Sequence, residues 1–131
     1  MRRAGRGQKG FTLVEIMIVV SIIALLAAIA VRSFIQARKR SQASKILNEL
    51  RLIDAAVDQY AIENTKPGGA PVAIADWTNY LKKETTLYGT GADLFGNSYG
   101  DQTVDIRPGI PTSTKTALSD VADTEFWSPF Q

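Results

Sequence analysis

Gly10-Phe11-Thr12-Leu13-Val14-Glu15 opens an apolar run that continues as IMIVVSIIALLAAIAV to Val31. Between Phe11 and Val31 the only polar residues are Thr12, Glu15 and Ser21. At about 1.5 Å of rise each, these 21 residues make a helix of about 31 Å, enough to cross a hydrocarbon core of about 30 Å. The competing reading is a buried soluble helix, but a chain of 131 residues leaves too little material to surround such a rod. Residues 11–31 are therefore expected to span a membrane. Glu15 is the exception inside the run. A carboxylate in a spanning helix costs about 2.5–3.5 kcal/mol on insertion scales, so it normally has a partner or a task.

The charge balance divides at this run. Upstream, residues 1–10 carry Arg2, Arg3, Arg6 and Lys9 and no acid, a charge of +4 against +2 for the whole chain. Residues 11–131 therefore hold −2, and from Ile46 onward six basic residues face twelve acidic ones. A basic pI of about 9.0 thus belongs to the N-terminal third, and the C-terminal part is expected to be polar and acidic. The chain has no Cys and no His, which removes disulfides, thiolate metal sites, thiol chemistry and the commonest general base. No Walker, zinc or phosphate-loop motif is present, and the serines have no histidine partner, so no enzyme is expected.

A short basic leader, a small residue at Gly10, an aromatic at Phe11, an acid at Glu15 and a long apolar helix together resemble the N-terminal signal of type IV pilins and pseudopilins. The likeness covers residues 1 to about 40. It implies that a membrane-embedded prepilin peptidase cuts between Gly10 and Phe11 and methylates the new amine of Phe11. Residues 1–10 are then a cytoplasmic leader. The underlying physics is independent of the family. A glycine before the cut leaves the backbone open to a protease. The freed Phe11 amine of one subunit and Glu15 of another are each costly in lipid, and together they offset one another and favour a defined stagger. A conventional secretory signal with an exit at Ala28-Ile29-Ala30 is the rival reading. The run is long for that, and Glu15 would be out of place. N-terminal sequencing separates the two, with Phe11 first in one case and Val31 first in the other.

Basic residues flank the run on both sides, Arg32, Arg38, Lys39 and Arg40 following it, so the positive-inside rule does not orient it. The resemblance does, implying a single-pass protein of the bacterial inner membrane with its C-terminal part periplasmic or extracytoplasmic. Its implied partners are other filament subunits, the prepilin peptidase, an inner-membrane assembly platform and membrane lipid. Arg38-Lys39-Arg40 suits anionic headgroups and is poorly placed for nucleic acid. Many relatives carry a proline just after the apolar run. This chain has Arg32 there and no proline before Pro67.

With neither Pro nor Gly from Phe11 to Asn64, the helix is expected to continue as an amphipathic segment over 32–64, some 80 Å in all for the 53 residues Phe11 to Glu63. Ala43, Ile46, Leu50, Ile53, Val57 and Tyr60 recur in steps of three and four, a seam that packs on the chain's own C-terminal part. The breakers Asn64 to Gly69 end it. The fold class expected is α+β, a long N-terminal α-helix, transmembrane in its first half, packed on a small antiparallel sheet in a head of residues 65–131. Within that head a short amphipathic helix is expected over Ala75–Glu84, a strand at Val104-Asp105-Ile106-Arg107 and a last strand at Phe126-Trp127 and Phe130.

Asp93-Leu94-Phe95-Gly96-Asn97-Ser98-Tyr99 is similar to the D-x-[WF]-G-N-x-Y stretch of type II secretion major pseudopilins. Those relatives bind calcium in an acidic, glycine-rich loop, which makes Asp101, Asp105, Asp120 and Asp123 the candidate ligands here. Such a loop is not recognisable, and a hard cation needs six to eight oxygens, so solvated surface acids are the simpler reading and no cofactor is expected. The expected role is a structural subunit of a type II secretion-like pseudopilus. A type IV pilin for adhesion, motility or DNA uptake and a non-polymerising anchored binding protein are the alternatives.

Overall fold

The computed structural model describes residues 9–130, and of the expected leader only Lys9 and Gly10 lie among them. One helix, α1 (Leu13–Glu63), fills 51 residues without interruption. Its start is fixed by a reciprocal cap. The Thr12 hydroxyl accepts the Glu15 amide at 3.2 Å, and the Glu15 carboxylate accepts the Thr12 amide at 2.8 Å, which is the capping box of a T-x-x-E sequence. Its end is a Schellman turn: the Lys66 amide reaches the Ala61 carbonyl at 2.9 Å, and the Thr65 amide reaches that of Ile62 at 3.4 Å. The left-handed residue there is Thr65, at φ 50°, rather than one of the glycines that follow.

The chain divides into two units, up to Ile35 and from Gln36 onward. In the first, every large apolar side chain from Phe11 to Ile35 is at least 49% exposed. The second holds the core. Ile46, Leu50 and Ile53 of α1 are completely buried, with Ala43 and Val57 beside them and Tyr60 half-buried, so the expected seam is the packed one. Against it lie Val72, Trp77, Leu118 and Trp127. Fully burying an aliphatic side chain is worth about 1.5–3 kcal/mol, and this shared core lets a small head stand on one helix.

After α1 come β1 (Pro71–Val72), α2 (Ile74–Thr78), α3 (Thr86–Thr90), β2 (Gln102–Thr103) and α4 (Thr112–Ala117). The two strands pair antiparallel, Pro71 with Thr103 and Val72 with Gln102. This is the expected α+β class with a minimal sheet, and three local expectations are corrected. The helix expected over Ala75–Glu84 stops at Thr78, although Trp77 and Leu81 are buried as its pattern required. Val104–Arg107 is not a strand. The Val104 amide and carbonyl pair with Ala70 and Gly69, and Asp105 at φ 63° then turns the chain so that the Ile106 amide returns to Thr103. Alternation there reflects one buried valine beside a turn. Phe126, Trp127 and Phe130 form turns, closed by Ser128 to Glu125 and Phe130 to Trp127 hydrogen bonds, and not a strand. Burial of Trp127 and Phe130, with Phe126 edge-on to Trp127 at 5.1 Å, holds that segment without a ladder.

Candidate assembly site

Gly10, Phe11 and Glu15 sit together at the start of α1. Gly10 is exposed, and nothing lies within 4 Å of where a Cβ would stand. Phe11 is 86% exposed. Glu15 is held by the capping box, its carboxylate on the amide of Thr12, one residue from Phe11. A negative side chain in the first turn also suits the partial positive charge of the helix N-terminus. Ser21, the remaining polar residue of the run, donates to the Met17 carbonyl at 2.7 Å. Thr12, Glu15 and Ser21 therefore all find hydrogen-bond partners inside their own segment, as an apolar medium demands of polar groups. Thr12 was not singled out from the sequence, although the T-x-x-E spacing identifies it. Among the described residues α1 is the one helix long and apolar enough to cross a membrane, and none of that stretch is buried.

The Asp93–Tyr99 stretch is a structural knot. The buried Asp93 carboxylate accepts the amides of Phe95 at 2.8 Å and Asn97 at 2.9 Å, and the Thr114 hydroxyl donates to its other oxygen. Asn97 in turn donates to Thr114 at 2.8 Å. At the far end of the stretch the Tyr99 hydroxyl donates to the buried Glu49 of α1 at 2.8 Å. The motif thus fastens α4 to the turn and the turn to α1. Burial pushes the Glu49 carboxyl above its ordinary value, with the Tyr99 hydrogen bond and Lys45 opposing that rise and Asp93 adding to it. Burial and the Glu49 partner raise the Tyr99 hydroxyl as well.

The four calcium candidates are not gathered into a cluster. Asp101 accepts the amide of Ile74 and so starts α2 in place of a local cap. Asp120 pairs with Lys39 at 2.8 Å, and that hydrogen bond holds its carboxyl below the ordinary value. Asp123 accepts the amide of Phe126, and Asp105 occupies its left-handed turn. Among the described residues no three acids come together as a metal site would require.

Residues 5–31 match the family model described as the prokaryotic N-terminal methylation motif. The type II secretion system core protein G of Escherichia coli K12 is 32% identical over 107 residues, covering 74% of this chain and 73% of that protein. The chain belongs to the type IV pilin and pseudopilin family. Within the family, the type IV major fimbrial protein FimA of Dichelobacter nodosus is 36% identical over 102 residues, 78% of this chain and 57% of that protein. Fimbrial protein Q of Moraxella bovis is 43% identical over 60 residues, 46% of this chain and 38% of that protein. The chain thus spans between about two fifths and somewhat over half of the fimbrial pilins it matches, and about three quarters of the Escherichia coli core protein. No solved structure matches it.

Proposed function

We propose that this chain is a structural subunit of a membrane-anchored filament of the type II secretion pseudopilus kind, held together by packing of its N-terminal helices, and that it performs no catalysis. The observation that carries the reading is α1 itself: its first part exposes apolar side chains on every side and begins at an acid already fixed at the helix end. Exposed apolar surface of that extent is covered by lipid in the single subunit and by neighbouring helices in a filament. The 32% identity to the Escherichia coli secretion core protein over 73% of its length supports the secretion branch, as does the Asp93–Tyr99 stretch. A type IV pilus is the second reading, favoured by the 36% identity to a fimbrial protein over most of this chain.

In this reading a prepilin peptidase of the inner membrane cuts after Gly10, and Phe11 becomes the methylated N-terminus. The capping box holds the Glu15 carboxylate close to that end, within reach of the Phe11 amine of a neighbour. An inner-membrane assembly platform then adds each subunit, and the head stays on the extracytoplasmic side. Glu15→Ala is expected to be processed normally and to assemble poorly; normal filaments from that variant would refute the registry role. Gly10→Val is expected to keep the precursor mass in the mass spectrum, and a mature-length product from it would move the cleavage site elsewhere. Loss of protein export on deletion supports the secretion branch, whereas intact export with lost surface attachment or motility favours the fimbrial one. The reading involves no cofactor. The engagement of Asp101, Asp120 and Asp123 with groups of the chain itself supports that.

A further inference from the structure

Arg38-Lys39-Arg40 is one patch in sequence, but the structure divides it. Lys39 lies four and seven residues before Ala43 and Ile46, on the side of α1 that becomes the core seam, and there it pairs with Asp120 at 2.8 Å. Arg38 and Arg40 stand one position to either side of it, each about 100° away around the helix, so that about 200° separates them. Both are exposed, and neither is in an ion pair among the described residues.

Their position along the helix indicates what they meet. Large apolar side chains stand exposed as far as Phe34 and Ile35, and the next exposed one along α1 is Leu52. Arg38 and Arg40 follow Ile35 by three and five residues, about 4.5 and 7.5 Å of rise. The headgroup layer on each side of a hydrocarbon core is about 5–7 Å thick. The two arginines therefore leave α1 within the depth of the headgroups, just beyond the last exposed apolar side chains. A protein partner covers one side of a helix, whereas headgroups surround it, and two cations splayed about 200° apart suit the second geometry. Each guanidinium can offer a phosphate two parallel N–H donors.

We propose that Arg38 and Arg40 bind the phosphates of anionic phospholipids in the leaflet on the head's side of the membrane, and that Asp120 withholds Lys39 from them. The inference rests on the membrane-anchored reading above and names a lipid class as a partner of the single subunit. It gives a task to cations that the positive-inside rule leaves unexplained on this flank of the apolar run. Attraction to an anionic surface falls off within a screening length, about 8 Å at physiological ionic strength and about 3 Å at 1 M. Arg51 is exposed as well, but about 24 Å of helix beyond Ile35 it lies outside that range.

The absence of native cysteine gives a clean test on the full chain. Gln36→Cys places a single donor dye at an exposed position beside Arg38. The labelled chain is reconstituted in phosphatidylcholine vesicles holding, at equal mole fraction, acyl-labelled phosphatidylglycerol or acyl-labelled phosphatidylcholine as energy-transfer acceptor. Transfer is expected to report a several-fold preference for phosphatidylglycerol at physiological salt, reduced several-fold at 1 M. Arg38→Gln combined with Arg40→Gln is expected to bring the two lipids close to parity, and Arg51→Gln to leave the preference unchanged. The leader's own cations are the same in every variant and cancel in that comparison. Equal transfer to the two lipids from the unsubstituted arginines overturns the inference and leaves the anchored reading intact, whereas no transfer to either lipid overturns both. A preference undiminished in the double variant, or lost equally in Arg51→Gln, also overturns it. Loss of the preference to inorganic phosphate at constant ionic strength assigns the two arginines to a soluble anion instead. Equal transfer together with lost filaments in the double variant assigns them to a neighbouring protein.

Discussion

Thr12 and Asp93 show what a single side chain can fix in this protein. Thr12 begins α1 by exchanging hydrogen bonds with Glu15, so the acid that registers subunits in the proposed filament is also an element of its own helix cap. Thr12→Ala removes half of that exchange. It is expected to cost about 1 kcal/mol, read as faster amide exchange over the first turn of α1 in detergent micelles while exchange around Leu50 is unchanged. Asp93 holds two amides and a hydroxyl in a buried position. Asp93→Ala leaves those donors unpaired and is expected to destabilise the head by about 2–4 kcal/mol in a denaturant titration. Asp93→Asn keeps an acceptor for the amides and loses less.

The end of α1 and its clamp belong to the scale of whole elements. A β-branched residue in left-handed backbone is strained, and Thr65 at φ 50° occupies the position that glycine fills in most such turns. Thr65→Gly is expected to raise stability by about 0.5–1 kcal/mol in spite of glycine's larger unfolded-state entropy, giving a higher melting temperature. The clamp between α1 and the Asp93–Tyr99 turn makes that stability depend on pH. Because burial raises the Glu49 carboxyl, the folded protein keeps its proton at pH values where the unfolded chain has released it. Stability from this group is complete below the ordinary glutamate value and is lost as pH rises through the elevated one. Glu49→Gln is expected to flatten that slope in melting temperatures recorded from acid to neutral pH. Tyr99→Phe removes the hydrogen bond that favours the anion, and is expected to move the slope to still higher pH. The Lys39–Asp120 pair acts in the opposite sense, its contribution present above the ordinary aspartate value and lost as pH falls through the depressed one.

At the scale of the molecule, the two units of the chain face different surroundings. Exposed apolar side chains fill the first, and a core shared between α1 and the head fills the second. Since the four candidate aspartates are dispersed over separate local tasks, adding millimolar calcium to the full chain is expected to leave its melting temperature unchanged. A rise on calcium addition, abolished by Asp101→Asn or Asp105→Asn, would reinstate the site. Likewise, in the proposed reading the mature protein is expected to be lighter than the full chain by residues 1–10, offset by the one methyl group gained on Phe11, checked by intact mass spectrometry.

Local sequence determined the helix, its seam and its start. No proline or glycine interrupts Phe11 to Asn64, apolar spacing marks the buried side, and T-x-x-E specifies the cap, all of them effects acting over a few residues. The same locality misled at Val104–Arg107 and Phe126–Phe130, where alternation and aromatic content suggested strands. Whether a short segment forms a ladder depends on which backbone stands beside it, and Ala70, Gly69 and Thr103 turned out to be the neighbours of the first. Tertiary structure alone decided that Glu49 meets Tyr99 across fifty positions and that Asp101 caps α2. Those contacts join residues distant in the chain, and only the packed core brings them within the few ångströms over which a hydrogen bond or an ion pair acts.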